Sequence, residues 1–352
     1  MRTGNRIQRV AISGDAPWST GIGGAGDSNV TVKVNDADYP VEPGQVLDLF
    51  TPNDRMLVRW WGTHGGAHSD DIVMCAHKIE SIDYDRDAGS VTVSAIDVLD
   101  FATWRLIDGV GANKYSTLTI AGRSASGAYR AALQRMIQWN ADWSLPIDLP
   151  ADGSGAFSGS WVFWKGVLIS DVIKEIADRT GAELYLDPYA TSTGGVRFLA
   201  RVGTPITVGG VRIHVAAAET PLAGIRYRID GKSQVTGVQG IGQGTGEDQK
   251  TKWAGGIINI PIRDTRVTFP DMVDQALQQA TDTYYASHLT PVVQWDVASY
   301  TISDEWPPEL VKPGRSLTLI VRGDPVIPDG EYTVRVVSVS GGNGRELKPE
   351  VQ

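Results

Sequence analysis

The first stretch with side chains that could carry out chemistry is HGGAHSDD, residues 64–71. The residues there that could bind a metal ion are His64, His68, Asp70 and Asp71. A histidine spacing of four suits a helical zinc site, but Gly65 and Gly66 disfavour a helix, and Gly65 replaces the glutamate of H-E-x-x-H. The stretch is either a metal-binding loop or a solvated hairpin loop, and the hairpin loop is the simpler interpretation.

A second run, DYDRDAG at residues 83–89, begins like a calcium-binding loop, because aspartates occupy every other position. Ala88 takes the place of the glycine that such a loop needs at its sixth position, and Ser94 takes the place of the glutamate at its twelfth. Strands are predicted on both sides of the run. A charged β-turn therefore explains it better than a calcium site.

Three further features could indicate catalysis or phosphate binding. GRSASG (122–127) has Ser126 where a nucleophile elbow needs glycine, and it precedes a predicted helix, which favours helix capping. GVGANKYS (109–116) lacks the glycine spacing of a phosphate-binding loop. Cys75 lies in the apolar run DIVMCA, which predicts a buried structural thiol. We therefore name no catalytic, cofactor-binding or metal-binding residues and expect no enzymatic activity, although catalytic carboxylates from distant strands would leave no local signal.

Composition narrows the class of protein. The 352 residues have a net charge of −9, which argues against a general nucleic-acid binder and leaves a local basic patch open. One cysteine excludes an intrachain disulfide, so packing or oligomerisation must provide stability. The N-terminus has no apolar segment long enough for a signal peptide, and no apolar run could span a bilayer. We expect a soluble product that is made in a cytoplasm.

Hydrophobic periodicity divides the chain into four segments. Residues 1–27 are predicted to form an N-terminal arm. Residues 28–108 have period-two alternation interrupted by turns, which is typical of a small β-barrel or sandwich, and DVLDFATWRLI (97–107) could close it as a helix. Residues 109–219 predict an α+β module with two amphipathic helices, and residues 220–352 return to strands with an inserted helix at about 270–288.

The helix predictions rest on particular residues. In the α+β module the first helix should bury Tyr129, Ala132, Leu133, Met136 and Ile137, with Ser124 or Ser126 as its cap. The second should bury Ile169, Val172, Ile173 and Ile176 and end at Gly181. For the inserted helix, Pro270 suits the first turn, and the expected apolar face is Val273, Ala276, Leu277, Ala280 and Tyr284. The segment 243–256 is predicted to be a mobile polar loop.

The two β-rich segments share an order of features. VEPGQVLDLF (41–50) and VKPGRSLTLI (311–320) both predict a Pro-Gly turn followed by an alternating strand, and a terminal hairpin follows later in each segment. The pattern favours one kind of β-unit occurring twice. The predicted fold class is mainly β with an α+β insertion, in which two small tail-tube-like β-barrels flank an α+β module.

Three stretches resemble the tail hub, or baseplate hub, proteins of tailed bacteriophages, of the kind called minor tail proteins in actinobacterial siphophages. They are VTVSAIDVLDFATWRLI (91–107), WKGVLISDVIKEIADRTGAELYLDP (164–188) and KPGRSLTL (312–319). The resemblance implies a structural virion protein at the tail tip that assembles in the host cytoplasm. A homotrimer with two barrels per chain would match a sixfold tail tube to a threefold tip and leave a channel that DNA crosses without specific binding.

The same resemblance implies the partners. They are the distal tail protein or tail tube above the hub, the tape measure protein, and tail-tip spike or fibre proteins below it. No cofactor is implied. The alternative is a receptor- or glycan-binding tail-tip protein, in which Trp60, Trp61, Trp161 and Trp164 would stack on sugars. A tail-associated wall hydrolase is a further alternative.

Overall fold

β-Strands make up most of the secondary structure in the computed structural model, which describes residues 4–34, 43–62, 71–107, 115–137, 144–256 and 261–352. The strands up to residue 203 are β1 Ile12–Ser13, β2 Trp18–Gly21, β3 Asp27–Lys33, β4 Met56–Trp61, β5 Ile72–Asp85, β6 Ser90–Asp97, β7 Thr117–Arg123, β8 Ile147–Asp148, β9 Phe157–Val162, β10 Glu183–Ala190 and β11 Val196–Gly203. The later strands are β12 Gly210–His214, β13 Leu222–Asp230, β14 Gly237–Ile241, β15 Thr251–Gly255, β16 Asp264–Thr268, β17 Val292–Thr301, β18 Ser316–Val321, β19 Gly330–Gly341 and β20 Glu346–Val351.

Helices are fewer and shorter. The α-helices within the described ranges are α1 Val46–Leu49, α2 Ala125–Ile137, α3 Ile169–Thr180 and α4 Asp274–His288. The 3-10 helices there are Pro43–Gln45, Val98–Thr103, Phe163–Lys165, Gly246–Asp248 and Pro308–Val311. No helix in the described part of the chain is long and apolar enough to cross a membrane. The predicted fold class, mainly β with an α+β insertion, is confirmed.

The largest sheet joins strands from both ends of the chain. Its main path is β17-β20-β19-β2-β3-β6-β5-β4, with β13 beside β17 and β1 beside β3. β18 also pairs with β19, and β12 pairs with β18. β2 makes the connection, because Thr20 pairs with Val339 of β19 and Trp18 pairs with Ser28 of β3. The segment predicted as an arm, 1–27, thus contains a buried strand of the sheet. The division of the chain into four segments stays a prediction.

Alternating burial explains the register of the N-terminal strands. Val30 and Val32 of β3 lie opposite Val93 and Val91 of β6, and all four side chains are buried in one apolar cluster. A one-residue slip would turn these valines to the opposite face of the sheet, so burial fixes the pairing. β5 and β6 form the predicted hairpin, in which Tyr84 pairs with Val91.

The helices α2 and α3 form as their sequence period predicts. Every residue predicted to be buried in α2 is buried, and in α3 Ile169, Val172 and Ile176 are completely buried. Of the two candidate caps for α2, Ser124 is the cap, because its Oγ accepts a hydrogen bond from the amide of Gly127 at 3.1 Å. Gly181 ends α3 with φ +65°, a conformation that glycine adopts without steric cost.

One apolar core is shared by the α+β module and the large sheet. Side chains of α2, α3, β10 and β11 form a continuous cluster with Val73 and Ala76 of β5 and with Leu99 and Phe101 of the 3-10 helix that follows β6. The segment 97–107 therefore does connect the first β-region to the module. The helix predicted within this segment is a 3-10 helix, Val98–Thr103.

The chain clusters into two compact units, one made of residues 1–224 and 297–352 and the other of residues 225–296. In the second unit β14 lies between β15 and β16, and α4 packs on β14 and β15. The rings of Tyr227 and Trp295 meet edge to face there, with centroids 4.9 Å apart. The residues 251–255, predicted as part of a mobile loop, form β15.

The inserted helix buries only part of the face that was predicted. Its buried residues are Leu277 and Thr281, and of the five predicted residues Leu277 alone is buried. Pro270 lies in a turn four residues before the helix begins at Asp274. The sequence prediction is wrong because α4 packs on the glycine-containing strand β14, which admits a polar residue such as Thr281 and needs little apolar area. A Cβ on Gly240 would overlap the Thr281 hydroxyl.

The two Pro-Gly stretches fold differently. Lys312-Pro313-Gly314 precedes the strand β18, as predicted, and Gly314 has φ +86°. In the first stretch, Pro43–Gln45 is a 3-10 helix and Val46–Leu49 is helical, so the predicted strand there is wrong. Val46–Leu49 contains three apolar residues in four, and a stretch this short has too few positions for its hydrophobic period to distinguish a strand from a helical turn. Residues 41 and 42 lie outside the described ranges.

Candidate functional site

The polar residues that the first unit buries lie where the large sheet meets the α+β module, and we call them the junction cluster. They are Thr20, Ser28, His77, Lys78, Asp97, Asp187 and Lys312. Burying such groups is unfavourable unless they are paired, so their partners determine which segments are held together.

Ser28 and His77 connect β3 to β5. The Ser28 Oγ lies 2.6 Å from Nδ1 of His77 and 3.8 Å from Sγ of Cys75. Burial lowers the pKa of His77 to about 4, against a smaller opposing effect of Asp27. Burial raises the pKa of the Cys75 thiol to about 12. This agrees with the buried structural thiol that the apolar run around Cys75 predicts. Both side chains are therefore neutral at pH 7, and Cys75 supplies no thiolate for nucleophilic attack.

Asp97 ends β6 and caps the 3-10 helix that leads into the module. Its Oδ1 accepts a hydrogen bond from the amide of Leu99 at 2.7 Å. Burial raises the pKa of Asp97 to about 6, the Leu99 amide lowers it, and the neighbouring carboxylate of Asp100 raises it. A carboxylate at this point satisfies a helix-end amide that would otherwise be buried without a partner.

Lys78 is a fully buried amine in β5. Its Nζ lies 2.9 Å from Oδ2 of Asp100 and 3.3 Å from Oδ1 of Asn53. The same ammonium lies 5.1 Å from the ring centroid of Phe101 and 5.3 Å from that of Trp104. The Lys78 side chain thus connects β5 to residues 100–104, which lead from β6 into the α+β module.

Lys312 makes the equivalent connection from the C-terminal strands. Its Nζ lies 3.1 Å from Oδ1 of Asp187 and 2.8 Å from the carbonyl oxygen of Pro188, both in β10. Arg201 of β11 donates from Nε to the other carboxylate oxygen of Asp187 at 2.7 Å. The lysine of the second Pro-Gly stretch therefore anchors β18 to the module.

A second ion pair strengthens the same contact. Arg335 of β19 donates two hydrogen bonds to Glu183 of β10, at 2.6 and 2.9 Å. The amide of Ile206 also donates to Glu183, at 2.9 Å. Burial raises the pKa of Glu183, but these hydrogen bonds outweigh burial and hold the pKa below its ordinary value. A bidentate arginine–carboxylate pair fixes orientation as well as distance.

Of the four possible metal ligands in residues 64–71, Asp71 alone lies in the described part of the chain. His64, His68 and Asp70 lie outside the described residues, and Asp71 immediately precedes β5. Asp85 accepts a hydrogen bond from the amide of Ala88 at 2.9 Å, which is the geometry of a charged turn. Within the described ranges, no three His, Cys, Asp or Glu side chains are close enough to hold a metal ion. Lys114 of the possible phosphate-binding loop also lies outside those ranges.

The four tryptophans of the glycan-binding alternative have unlike environments. Trp161 is buried and donates its indole N–H to Glu175 at 2.8 Å, so its ring is not available for stacking. Trp60 and Trp61 are half-buried, and each has an arginine guanidinium, from Arg6 and Arg345, within 6 Å of its ring centroid. Trp164 is 64% exposed.

The sequence interpretation missed the junction cluster, although one signal was present. Lys78 and His77 interrupt an apolar run that begins at Ile72, and a charged residue inside such a run is unusual for a solvent-facing strand. Lys312 gave no signal, because a lysine before a Pro-Gly turn is ordinarily exposed.

This arrangement can be compared with solved structures. No protein-family model matches the chain, and no curated protein matches it by sequence. The 43 kDa tail protein of prophage MuSo2 from Shewanella oneidensis superposes with a TM-score of 0.54 at 12% identity, covering 96% of this chain and 92% of that chain.

The chain shares the fold of a phage tail protein. The E. coli c3393 protein gives a TM-score of 0.51 at 8% identity, and the match covers 99% of this chain and 74% of that chain. That protein is described as a component of the type VI secretion system with structural similarity to the T4 bacteriophage tail proteins gp27 and gp5. A chain of the half-lidded Francisella PdpA–VgrG complex gives 0.50 at 9% identity, covering 93% of this chain and about half of that one, 49%. The fold shared with the MuSo2 tail protein thus extends over almost the whole chain.

Proposed function

We propose that the protein is a structural component of a phage tail, and specifically the trimeric hub at the distal end of the tail. The observation that carries the proposal is the fold shared with the MuSo2 tail protein over 96% of this chain. In this role the protein matches a sixfold tail tube to a threefold tip and leaves a channel for DNA.

The arrangement of the sheet supports a structural role. Strands from both ends of the chain share one sheet, and a nearly buried and a half-buried ion pair hold its strands against the α+β module. Two β-hairpins, β5–β6 and β19–β20, lie on opposite sides of β2 and β3 in that sheet. Three such chains would offer six hairpins of similar kind, which is the number a sixfold tube requires.

The charge balance supports a channel that DNA crosses without binding. The net charge of −9 gives an overall repulsion toward phosphates. The proposed partners are the distal tail protein or tail tube above, the tape measure protein, and spike or fibre proteins below. The proposed location is the tail tip of the virion, after assembly in the host cytoplasm, and the proposed role is structural and not enzymatic.

The test is the assembly state of the purified chain. Light scattering over a concentration series gives its mass, and negative-stain imaging gives the shape of the largest species. We expect a threefold ring with a central hole and six similar lobes. A monomer at every concentration, both alone and with purified tail tubes, that binds oligosaccharides on a glycan array would overturn the hub and favour the glycan-binding alternative.

A further inference from the structure

The β5–β6 hairpin ends in an exposed acidic tip, residues 80–89. Four carboxylates and one arginine occupy it, and all five side chains are exposed: Glu80, Asp83, Asp85, Arg86 and Asp87. Tyr84 lies among them with 52% of its surface exposed. Because side chains alternate along a strand, Tyr84 shares a face with Ile82, which packs against the core, while Asp83 and Asp85 lie on the opposite face.

A basic groove lies between the N-terminal segment and β4. It has a cavity volume of about 360 Å³ and contains the arginines Arg6, Arg9 and Arg55. The other lining residues are mostly apolar, among them Val10, Phe50 and Leu57, and no carboxylate is present among the described residues that line it. In a chain with net charge −9, such a groove is an unusual surface.

The three arginines differ in how far their charge is already paired. Arg55 forms an ion pair with Asp54 and donates to the carbonyl oxygen of Asp48 at 2.9 Å. Arg6 lies over the ring of Trp60 at 5.9 Å. Arg9 is exposed, and its guanidinium has no hydrogen bond or ion pair with any residue in the described part of the chain. Arg9 therefore has its full donor capacity available for a carboxylate from outside.

We infer that the basic groove of one copy of this chain receives the acidic hairpin tip of a second copy. The tip offers carboxylates and an exposed tyrosine, and the groove offers guanidinium groups and apolar side chains, which are complementary in both charge and polarity. The chain as a whole has a net charge of −9, which gives an overall repulsion toward the acidic tip. Charge complementarity therefore favours the basic groove as the binding site for the acidic tip of a second copy.

Arg9 makes no ion pair with a tip carboxylate of its own chain, so the contact is assigned between copies. Ile79 of β5 lines the groove, and the tip residue Asp85 lies six positions further along the same strand. At a rise of about 3.3 Å per residue, Asp85 lies about 20 Å along the strand from Ile79. Tip and groove are different surfaces, so their pairing is heterologous and generates a ring when the rotation between copies closes. This inference rests on the proposed trimer and names the surfaces that form it.

A charge-reversal cycle on the full-length protein tests the pairing. Arg9→Glu and Asp83→Arg are each expected to raise the concentration for half-assembly by about tenfold or more, and the double variant is expected to recover most of the wild-type assembly. Lys348→Glu and Glu305→Lys make the same charge changes at exposed residues outside the groove and tip, and should leave assembly unchanged. If the control variants changed the concentration for half-assembly as much as the test variants, the effect would be due to net charge alone, and the proposed pairing would be overturned.

Cross-linking makes the test independent of affinity. Arg9→Cys combined with Asp83→Cys, treated with a short bis-maleimide, should give covalent trimers, and each single variant should give none beyond the background of buried Cys75. Trimers in solution without cross-links would overturn this pairing and leave the hub intact. Cross-linked chains longer than three would support the pairing and overturn the closed trimer. A monomer without cross-links, both alone and with purified tail tubes, would overturn both.

Discussion

His77 and Asp97 are cross-strand partners in β5 and β6, and both side chains are almost fully buried, with 1% and 5% of their surface exposed. Burial shifts their pKa values in opposite directions and past each other, lowering that of His77 to about 4 and raising that of Asp97 to about 6. Between these two pH values both side chains are neutral in the folded protein. The two residues therefore make opposite contributions to the pH dependence of stability.

Asp97→Asn is expected to stabilise the protein at neutral pH. The folded pKa of Asp97 is raised, so its contribution is fully present below the unfolded pKa near 3.8 and is lost as pH rises through about 6. Asparagine keeps an oxygen for the Leu99 amide and removes the buried charge. Relative to wild type, the variant should gain about 2–3 kcal/mol in unfolding free energy at pH 7.5 and nothing at pH 4. Urea unfolding at both pH values measures the difference, and a pH-independent difference would contradict it.

His77→Gln should change the pH dependence in the opposite direction. The folded pKa of His77 is lowered, so wild type loses stability as pH falls from about 6.5 through about 4. Glutamine does not titrate and can accept a hydrogen bond from Ser28. The stability of the variant relative to wild type should therefore improve by about 3 kcal/mol between pH 7.5 and pH 4, whatever its offset at neutral pH. Urea unfolding over this range checks the slope, and parallel curves for the two proteins would show that His77 is not responsible.

The amphipathic helices of the module could be predicted from the sequence, and the buried polar residues could not. In α3 the apolar positions recur with the helical period and face one core, so local pattern and tertiary structure agree. In β5, seven consecutive residues from Val73 to Ile79 are buried, because both faces of the strand are covered. Alternation predicts one solvent face, and therefore misplaces His77 and Lys78. Only long-range partners, such as Asp100 for Lys78, make their burial possible.

Removing one partner of the Lys312–Asp187 pair should destabilise the first unit by an amount that depends on what is left unpaired. Asp187→Ala leaves the nearly buried ammonium of Lys312 beside Arg201 without a counter-charge, and we expect a loss of about 3–5 kcal/mol. Lys312→Met should cost less, because Asp187 retains its hydrogen bond with Arg201. Chemical denaturation of the full-length variants measures both losses.

The exposed pair Lys174–Asp178 provides the control for that comparison. It joins adjacent turns of α3, with both side chains largely in solvent, so Lys174→Ala should give no measurable loss. If Lys312→Met lowered the unfolding free energy more than Asp187→Ala, the unpaired ammonium of Lys312 would not be the cause of the loss in Asp187→Ala.

Gly240→Ala should destabilise the second unit through one specific overlap. An added Cβ would collide with the hydroxyl of Thr281, which is completely buried where α4 packs on β14. Overpacking of this kind costs about 1–3 kcal/mol. Adding Thr281→Ala removes the overlapping oxygen, so the double variant should be more stable than the sum of the single losses predicts. Thermal unfolding and amide exchange within residues 225–296 measure the effect, with Gly44→Ala as a control because no atom lies near its added Cβ. Additive losses would mean that the overlap with Thr281 does not set the cost.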